Sequence, residues 1–204
     1  SKFCGPNDII TKISKSDEIK RKELGGRGPQ NFRATLSDYS AKDWKKLFLK
    51  WKGKSWYYNH VSAAEIRQHI DDNIWNNYYK FCFERNPWDR FISFYYWKCS
   101  SEPRPSISEF LESSVPQLLK RRGYQLYTID DKVVVDRICR FENLTEELET
   151  VRHKIGLPVA LELPRTKSGS RKDKRSYRDI LTNEEQNKIA ELFRDEIGLL
   201  GYQF

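Results

Sequence analysis

The sequence predicts an α/β domain with a short, mainly parallel sheet flanked by helices. Strand-like runs alternate along the chain with capped, amphipathic helical segments, the order that builds a parallel sheet. The 204 residues, 38% hydrophobic and 32% charged, suit one globular domain with its own core, expected to span residues 1–204. Six Trp, eleven Tyr and eleven Phe supply its bulk, and Met is absent.

The stretch to about Tyr39, rich in Gly, Pro, Asn and alternating charge, predicts a long irregular surface segment. Ser40 with Asp43 then caps a helix whose Trp44, Leu47, Phe48 and Trp51 share one face. Trp56-Tyr57-Tyr58 predicts a short strand ending at His60, and Ser62 with Glu65 opens another helix. Tyr78 to Glu84 is a second strand. Asn86 and Pro87 stand as N-cap and first residue of a helix through Trp97. Ser106 with Glu109 starts a further helix, and Val133 to Phe141 is the next strand. Asn143 with Glu146 opens a helix ending near Gly156, a basic loop runs from Pro164 to Arg178, and Thr182 with Glu185 begins the last helix, turning Ile189, Leu192, Phe193 and Ile197 inward.

A formal charge of +8 points to anionic partners. Cys4, Cys82, Cys99 and Cys139 show no paired spacing, so neither a zinc site nor a dithiol motif is indicated, and no residue cluster calls for a metal. Cys82 and Cys139 lie in apolar strand-like runs and are expected to stay reduced, which favours the cytoplasm. No apolar run has the length of a membrane span and no signal-peptide pattern opens the chain; because it begins at Ser1, a trimmed or processed N-terminus is expected. Gly53-Lys54-Ser55 echoes the end of a phosphate-binding loop, but Phe48 stands where its first glycine belongs.

In α/β sheets, ligands bind beyond the carboxyl ends of the strands. Arg85 sits at such an end, directly before a helix start that brings unpaired N–H groups and a positive dipole end, and Ser93 lies two turns into that helix. Together they would hold a phosphate. The same spacing equally lets Arg85 and Arg90 pair with Glu84 or Asp89 at a sheet edge. His60 also lies at a strand-to-helix junction, where an imidazole taken alone is more often structural than catalytic. His153 suits a solvated helix C-terminus, and His69, within a short helix, has no sign of a role. In Thr166–Arg178, Gly169 between serines permits close approach to an anion, and Arg171, Lys172, Lys174, Arg175 and Arg178 follow.

Arg85-Asn86-Pro87-Trp88-Asp89-Arg90-Phe91-Ile92-Ser93-Phe94-Tyr95 resembles the RNPxxRxxSxY element of the carbohydrate sulfotransferases, the Golgi-type group that includes heparan 2-O-sulfotransferase and its bacterial relatives. The likeness extends to Tyr57-Tyr58-Asn59-His60-Val61, Arg140-Phe141-Glu142-Asn143-Leu144 and Gly201-Tyr202-Gln203-Phe204, in the family's order. The resemblance implies a P-loop-NTPase-like sulfotransferase fold. It also implies transfer of a sulfuryl group from 3′-phosphoadenosine 5′-phosphosulfate to a carbohydrate hydroxyl. By that likeness Arg85 and Ser93 hold the 3′-phosphate, Arg171 and Lys172 contact the nucleotide from the basic loop, and His60 is the general base. Arg121, Arg122, Gln125 and Tyr127 fall where relatives shape the acceptor groove, and their charge suits an acidic glycan.

Family members open with a strand and a lysine-bearing loop for the 5′-phosphosulfate, which would lie upstream of residue 1. An anchor further upstream would place the protein in the Golgi lumen. Without that loop, the alternative is an inactive binding or structural protein on a sulfotransferase scaffold. A nucleic-acid partner is disfavoured because no recognised binding motif accompanies the basic residues, and the oligomeric state is not legible.

Overall fold

The computed structural model describes residues 1–161 and 173–204. The chain forms two compact units, Ser1–Asn76 and Asn77–Phe204, in a mixed architecture of helices and small sheets.

In the first unit, the segment expected to be irregular carries a helix, α1 (Lys15–Glu23). Its cap is local: Ser14 Oγ accepts from Asp17 N at 3.2 Å. Asp17 and Glu18 lie in the first turn and basic residues in the last, complementing the helix dipole. With no buried residue it shows no apolar period, which is why the pattern was silent. The α2 helix (Ala41–Lys50) has the expected capping box, as has α3 (Ala63–Arg67). The expected strand at Trp56–Tyr58 does not form. The N–H groups of Trp56 and Tyr57 both donate to the Phe32 carbonyl, at 3.1 and 3.2 Å, so the chain turns there instead of extending a ladder. His60 consequently lies in a turn, with φ of 65°, and not at a strand end. His69 likewise falls just past α3, and α4 (Asp72–Asn77) closes the unit.

The second unit is organised around α5 (Pro87–Lys98), which follows strand β1 (Phe81–Glu84). Asn86 Oδ1 accepts from the N–H groups of Trp88 and Asp89 at 3.1 and 3.3 Å, with Pro87 behind the cap. The α5 helix buries Trp88, Phe91, Ile92, Phe94, Tyr95 and Tyr96. They pack on Phe110 of α6 (Ile107–Glu112), Leu119 of α7 (Val115–Lys120), and Tyr177, Leu181, Ile189, Phe193 and Tyr202. A fully buried aromatic side chain is worth about 1.5–3 kcal/mol, so this cluster holds α5 and the strand end before it in place.

The run expected to be one strand from Val133 to Phe141 is broken in two. Thr128–Ile129 (β2) and Lys132–Val133 (β3) form an antiparallel hairpin. Asp130 and Asp131 supply its two positive-φ turn positions. The chain then leaves the hairpin, and Arg137–Arg140 (β4) pairs parallel to β1 in the register Phe81↔Arg137 to Glu84↔Arg140. The parallel sheet therefore has two strands among the described residues.

A short turn at Phe141–Asn143 precedes α8 (Leu144–Lys154), and the Asn143 side chain does not cap it. The helix ends before Gly156, whose φ is 70°. Ser176 and Asp179 form a capping box on α9 (Tyr177–Ile180). The expected last helix is two: α10 (Asn183–Leu192) and α11 (Arg194–Leu200), divided at fully buried Phe193. Ile189 and Phe193 are in the core, with Leu192 and Ile197 partly buried against it.

Candidate functional site

Because β1 and β4 run parallel in register, their carboxyl ends deliver Arg85-Asn86 and Phe141-Glu142 side by side. Asn86 is the joint. Its backbone N–H donates to Glu142 Oε1 at 2.6 Å, and its Nδ2 donates to Tyr177 Oη at 3.2 Å and to the Gln203 carbonyl at 3.4 Å. The Tyr202 hydroxyl directs its hydrogen between Glu142 Oε2, at 3.2 Å, and the Glu84 carbonyl, at 3.3 Å. Burial is the main force raising the Tyr177 and Tyr202 hydroxyls above the ordinary tyrosine range, so both stay neutral, Tyr202 as a donor and Tyr177 as the acceptor of the Asn86 amide.

These contacts frame a cleft of about 420 Å³ at the strand ends, lined by Asn86, Asp89, Arg140, Glu142, Tyr177, Arg178 and the Gly201–Gln203 turn. Its cations differ in how they are held. Arg85 Nε donates to Asp89 Oδ2 at 2.7 Å, its Nη2 lies 2.5 Å from the same oxygen, and its guanidinium stacks 4.8 Å above the Phe141 ring. Arg140 and Arg178 form no ion pair among the described residues. Arg140 donates to the Leu200 carbonyl at 2.5 Å and stacks on Tyr202 at 5.0 Å. Arg178 stacks 4.5 Å above Tyr177 and 5.9 Å from the Phe204 centroid. Each is oriented by an aromatic face while its charge stays unspent, as an anion receptor requires.

The residues singled out in the sequence are distributed unevenly around this cleft. Arg85 reaches its neighbourhood but is held by Asp89, the sheet-edge pairing that its spacing allowed. The N–H groups of Trp88 and Asp89 are not open, because Asn86 caps them. Ser93 is half-buried, one helical turn beyond Asp89. Arg121, Arg122, Gln125 and Tyr127 do not line the cleft. Arg121, Arg122 and Gln125 are exposed, whereas Tyr127 is 3% exposed. Arg171 and Lys172 lie outside the described residues. His60 is an exposed turn residue of the first unit. Arg140 and Arg178 had no assigned role, although each sits in a stretch the sequence marked; what distinguishes them is that no carboxylate among the described residues pairs with them, which only the folded chain displays.

Glu84, the last residue of β1, belongs to a buried ionic group. Arg90 Nη1 is 2.8 Å from Glu84 Oε2 and 3.9 Å from Glu196 Oε1, and Nη2 donates to the Leu119 carbonyl at 2.7 Å. Glu84 and Glu196 are 4% and 1% exposed, so two interior carboxylates share one arginine. Burial, helped by the charge of Glu196 and opposed by Arg90, lifts the Glu84 carboxyl above its ordinary range. A Cβ on Gly123 would stand 2.4 Å from Glu196 Oε1 and 2.6 Å from Arg90 Nη2, so this position needs glycine for the close approach.

Comparison with known proteins bears on this segment directly. Residues 53–134 match the model of the sulfotransferase family. The matched segment includes Gly53-Lys54-Ser55, His60, β1, Arg85 and α5. The chain is also 36% identical over 106 residues to an uncharacterized protein of Archaeoglobus fulgidus, covering 50% of this chain and 88% of that one, and the two belong to one family. No solved structure matches the chain. The sulfotransferase match supports a transferase that moves a sulfuryl group, and the mixed fold of helices and a small parallel sheet agrees with it.

Proposed function

We propose that the protein transfers a sulfuryl group from 3′-phosphoadenosine 5′-phosphosulfate to a hydroxyl of a carbohydrate, on a P-loop-NTPase-like sulfotransferase fold. The observation that carries this reading is the cleft at the carboxyl ends of β1 and β4, where Arg140 and Arg178 stand oriented and without carboxylate partners among the described residues. Their guanidinium groups suit phosphate oxygens. The rings of Tyr177, Tyr202 and Phe204 offer flat apolar faces beside them, and the Asn86 and Gln203 amides add polar contacts. That donor set fits a phosphorylated nucleoside. Arg85, just past β1, and Ser93 of α5 complete the phosphate contacts.

His60 is the proposed general base: its imidazole takes the proton of the acceptor hydroxyl as that oxygen bonds to sulfur and the bond from sulfur to the bridging phosphate oxygen breaks. Arginines fixed in advance against the leaving nucleotide's charge lower the barrier without reorganising during the step. An acidic glycan is the proposed acceptor class, with Arg121, Arg122 and Gln125 as exposed contacts; Arg171 and Lys172 are proposed as further nucleotide contacts.

Calorimetry with adenosine 3′,5′-bisphosphate tests the site. Arg178→Ala and Arg140→Ala should each weaken binding by about 1.5–3 kcal/mol, the scale of a lost charge-assisted contact. Arg194→Ala, a surface change outside the cleft, should leave it unchanged. Equal affinity in all four proteins would remove the nucleotide from this cleft. A second reading, a binding protein without turnover, is favoured by one observation: Asp89 occupies Arg85, and Asn86 occupies the first N–H groups of α5. It predicts the same binding losses with no transfer of sulfate to any glycan.

A further inference from the structure

The sequence places Trp44, Leu47, Phe48 and Trp51 on one face of α2, the pattern of a helix that packs into a core. In the folded chain no residue of α2 is buried. Phe48 is 71% exposed and Trp51 91%, values at which an aromatic side chain contributes nothing to a core. The stripe is nevertheless ordered. Trp44 and Phe48 stack with ring centroids 5.7 Å apart, and Tyr39 closes on Trp44 at 5.3 Å, giving a continuous aromatic ridge. Trp51 sits at the helix C-cap with φ of 50°, a left-handed conformation that glycine adopts freely and a bulky residue only at a cost. A glycine would serve the cap better, so something other than the cap accounts for the indole.

The opposite face and the segment after it are basic. Lys42, Lys45, Lys46, Lys50 and Lys52 are exposed and form no salt bridge among the described residues. Asp43, the sole acid between Ala41 and Lys54, is taken up by the Ser40 cap and by Lys54 at 3.7 Å. Protein-binding surfaces deplete lysine around their apolar centres. A helix with Trp and Phe on one side and a dense lysine face on the other has the composition that lies in the headgroup layer of an anionic bilayer. No described helix is long and apolar enough to cross a membrane, so the fitting geometry is a helix lying on the surface.

We propose that α2 with its continuation to Lys54 is a docking surface for an anionic lipid bilayer, the Trp44–Phe48–Trp51 ridge entering the interface while the flanking lysines meet lipid phosphates. The lysine stems are long enough to stay in the headgroup layer while the rings go deeper. The site is independent of the cleft chemistry proposed above, and its test does not require turnover.

The full chain is measured by co-sedimentation with vesicles of phosphatidylcholine, with and without about 30% phosphatidylserine, at low and physiological salt. Binding should be at least about tenfold tighter to the phosphatidylserine vesicles and should weaken with salt. Phe48→Ser with Trp51→Ser retains every charge, and should lose about tenfold or more in affinity with an unchanged melting temperature, since both side chains are exposed. Lys45→Glu with Lys46→Glu should abolish the preference for phosphatidylserine. Unchanged vesicle binding by Phe48→Ser/Trp51→Ser would reduce the effect to the protein's overall charge and overturn the proposal. A wild-type chain that ignores vesicles but sediments as a dimer, with Phe48→Ser/Trp51→Ser sedimenting as a monomer, would overturn it in favour of a second copy as the occupant.

Discussion

Arg90→Met is expected to destabilise the Asn77–Phe204 unit by about 3–5 kcal/mol, the scale for removing one partner of a buried ionic group. The methionine would fill much of the space, so the loss would come from Glu84 and Glu196, left in the interior without their shared cation. The effect has a defined pH dependence. Glu84 already titrates above its ordinary range in the folded chain, so the fold prefers its protonated form. The stability this contributes is fully present below the unfolded carboxyl's pKa and is lost as pH rises through the folded value. Without Arg90 the folded value rises further, which extends the loss upward in pH. Urea denaturation should show the largest difference between variant and wild type at about pH 8 and a much smaller one near about pH 5. A deficit of the same size at both pH values would locate the effect in packing and sink the ionic account.

His60→Ala should lower kcat by roughly 10²–10⁴-fold in sulfate transfer, the range for losing a positioned base. Bisphosphate affinity should hold, because Arg140 and Arg178 remain. The melting temperature should hold as well, because an exposed turn residue carries little packing. Wild-type turnover should fall towards acid pH, since a protonated imidazole cannot accept the hydroxyl proton; the residual rate of the variant should not follow that profile. The substituted residue must tolerate a φ of 65°, so His60→Asn is a useful second variant: asparagine accepts that conformation but is no base. Near-normal kcat in His60→Asn would remove His60 from the chemistry.

Features set by neighbouring residues were legible in the sequence. The capping boxes at Ser40/Asp43, Ser62/Glu65, Ser106/Glu109 and Thr182/Glu185, and the Asn86-Pro87 helix start, need only residues three apart and formed as expected. Apolar runs were less informative. Val133–Phe141 has the composition of one strand, but Asp130-Asp131 makes a tight hairpin that consumes its first residues. The periodic face of α2 was visible, yet periodicity records that a helix has an apolar side and not what covers it. At the cleft, Arg85 drew attention through its motif, whereas Arg140 and Arg178 matter because no carboxylate among the described residues pairs with them. The i,i+4 spacing of Arg85 and Asp89 made their pairing foreseeable; the isolation of Arg178 depends on Tyr177, Phe204 and Asn86 converging from three parts of the chain.

That convergence also orders events during folding. Asn86 bonds to Glu142, Tyr177 and the Gln203 carbonyl, partners 56, 91 and 117 positions away. Helix α5 and its cap can form from adjacent residues within microseconds. The β1–β4 pairing must first close a long loop, and the last bonds to Asn86 must wait for the C-terminal turn to dock. The cleft proposed to bind the nucleotide is thus the last part of the unit to acquire its shape. Partly folded chains would already hold the aromatic cluster of α5, and on the proposed function the nucleotide would select molecules whose C-terminal turn is seated.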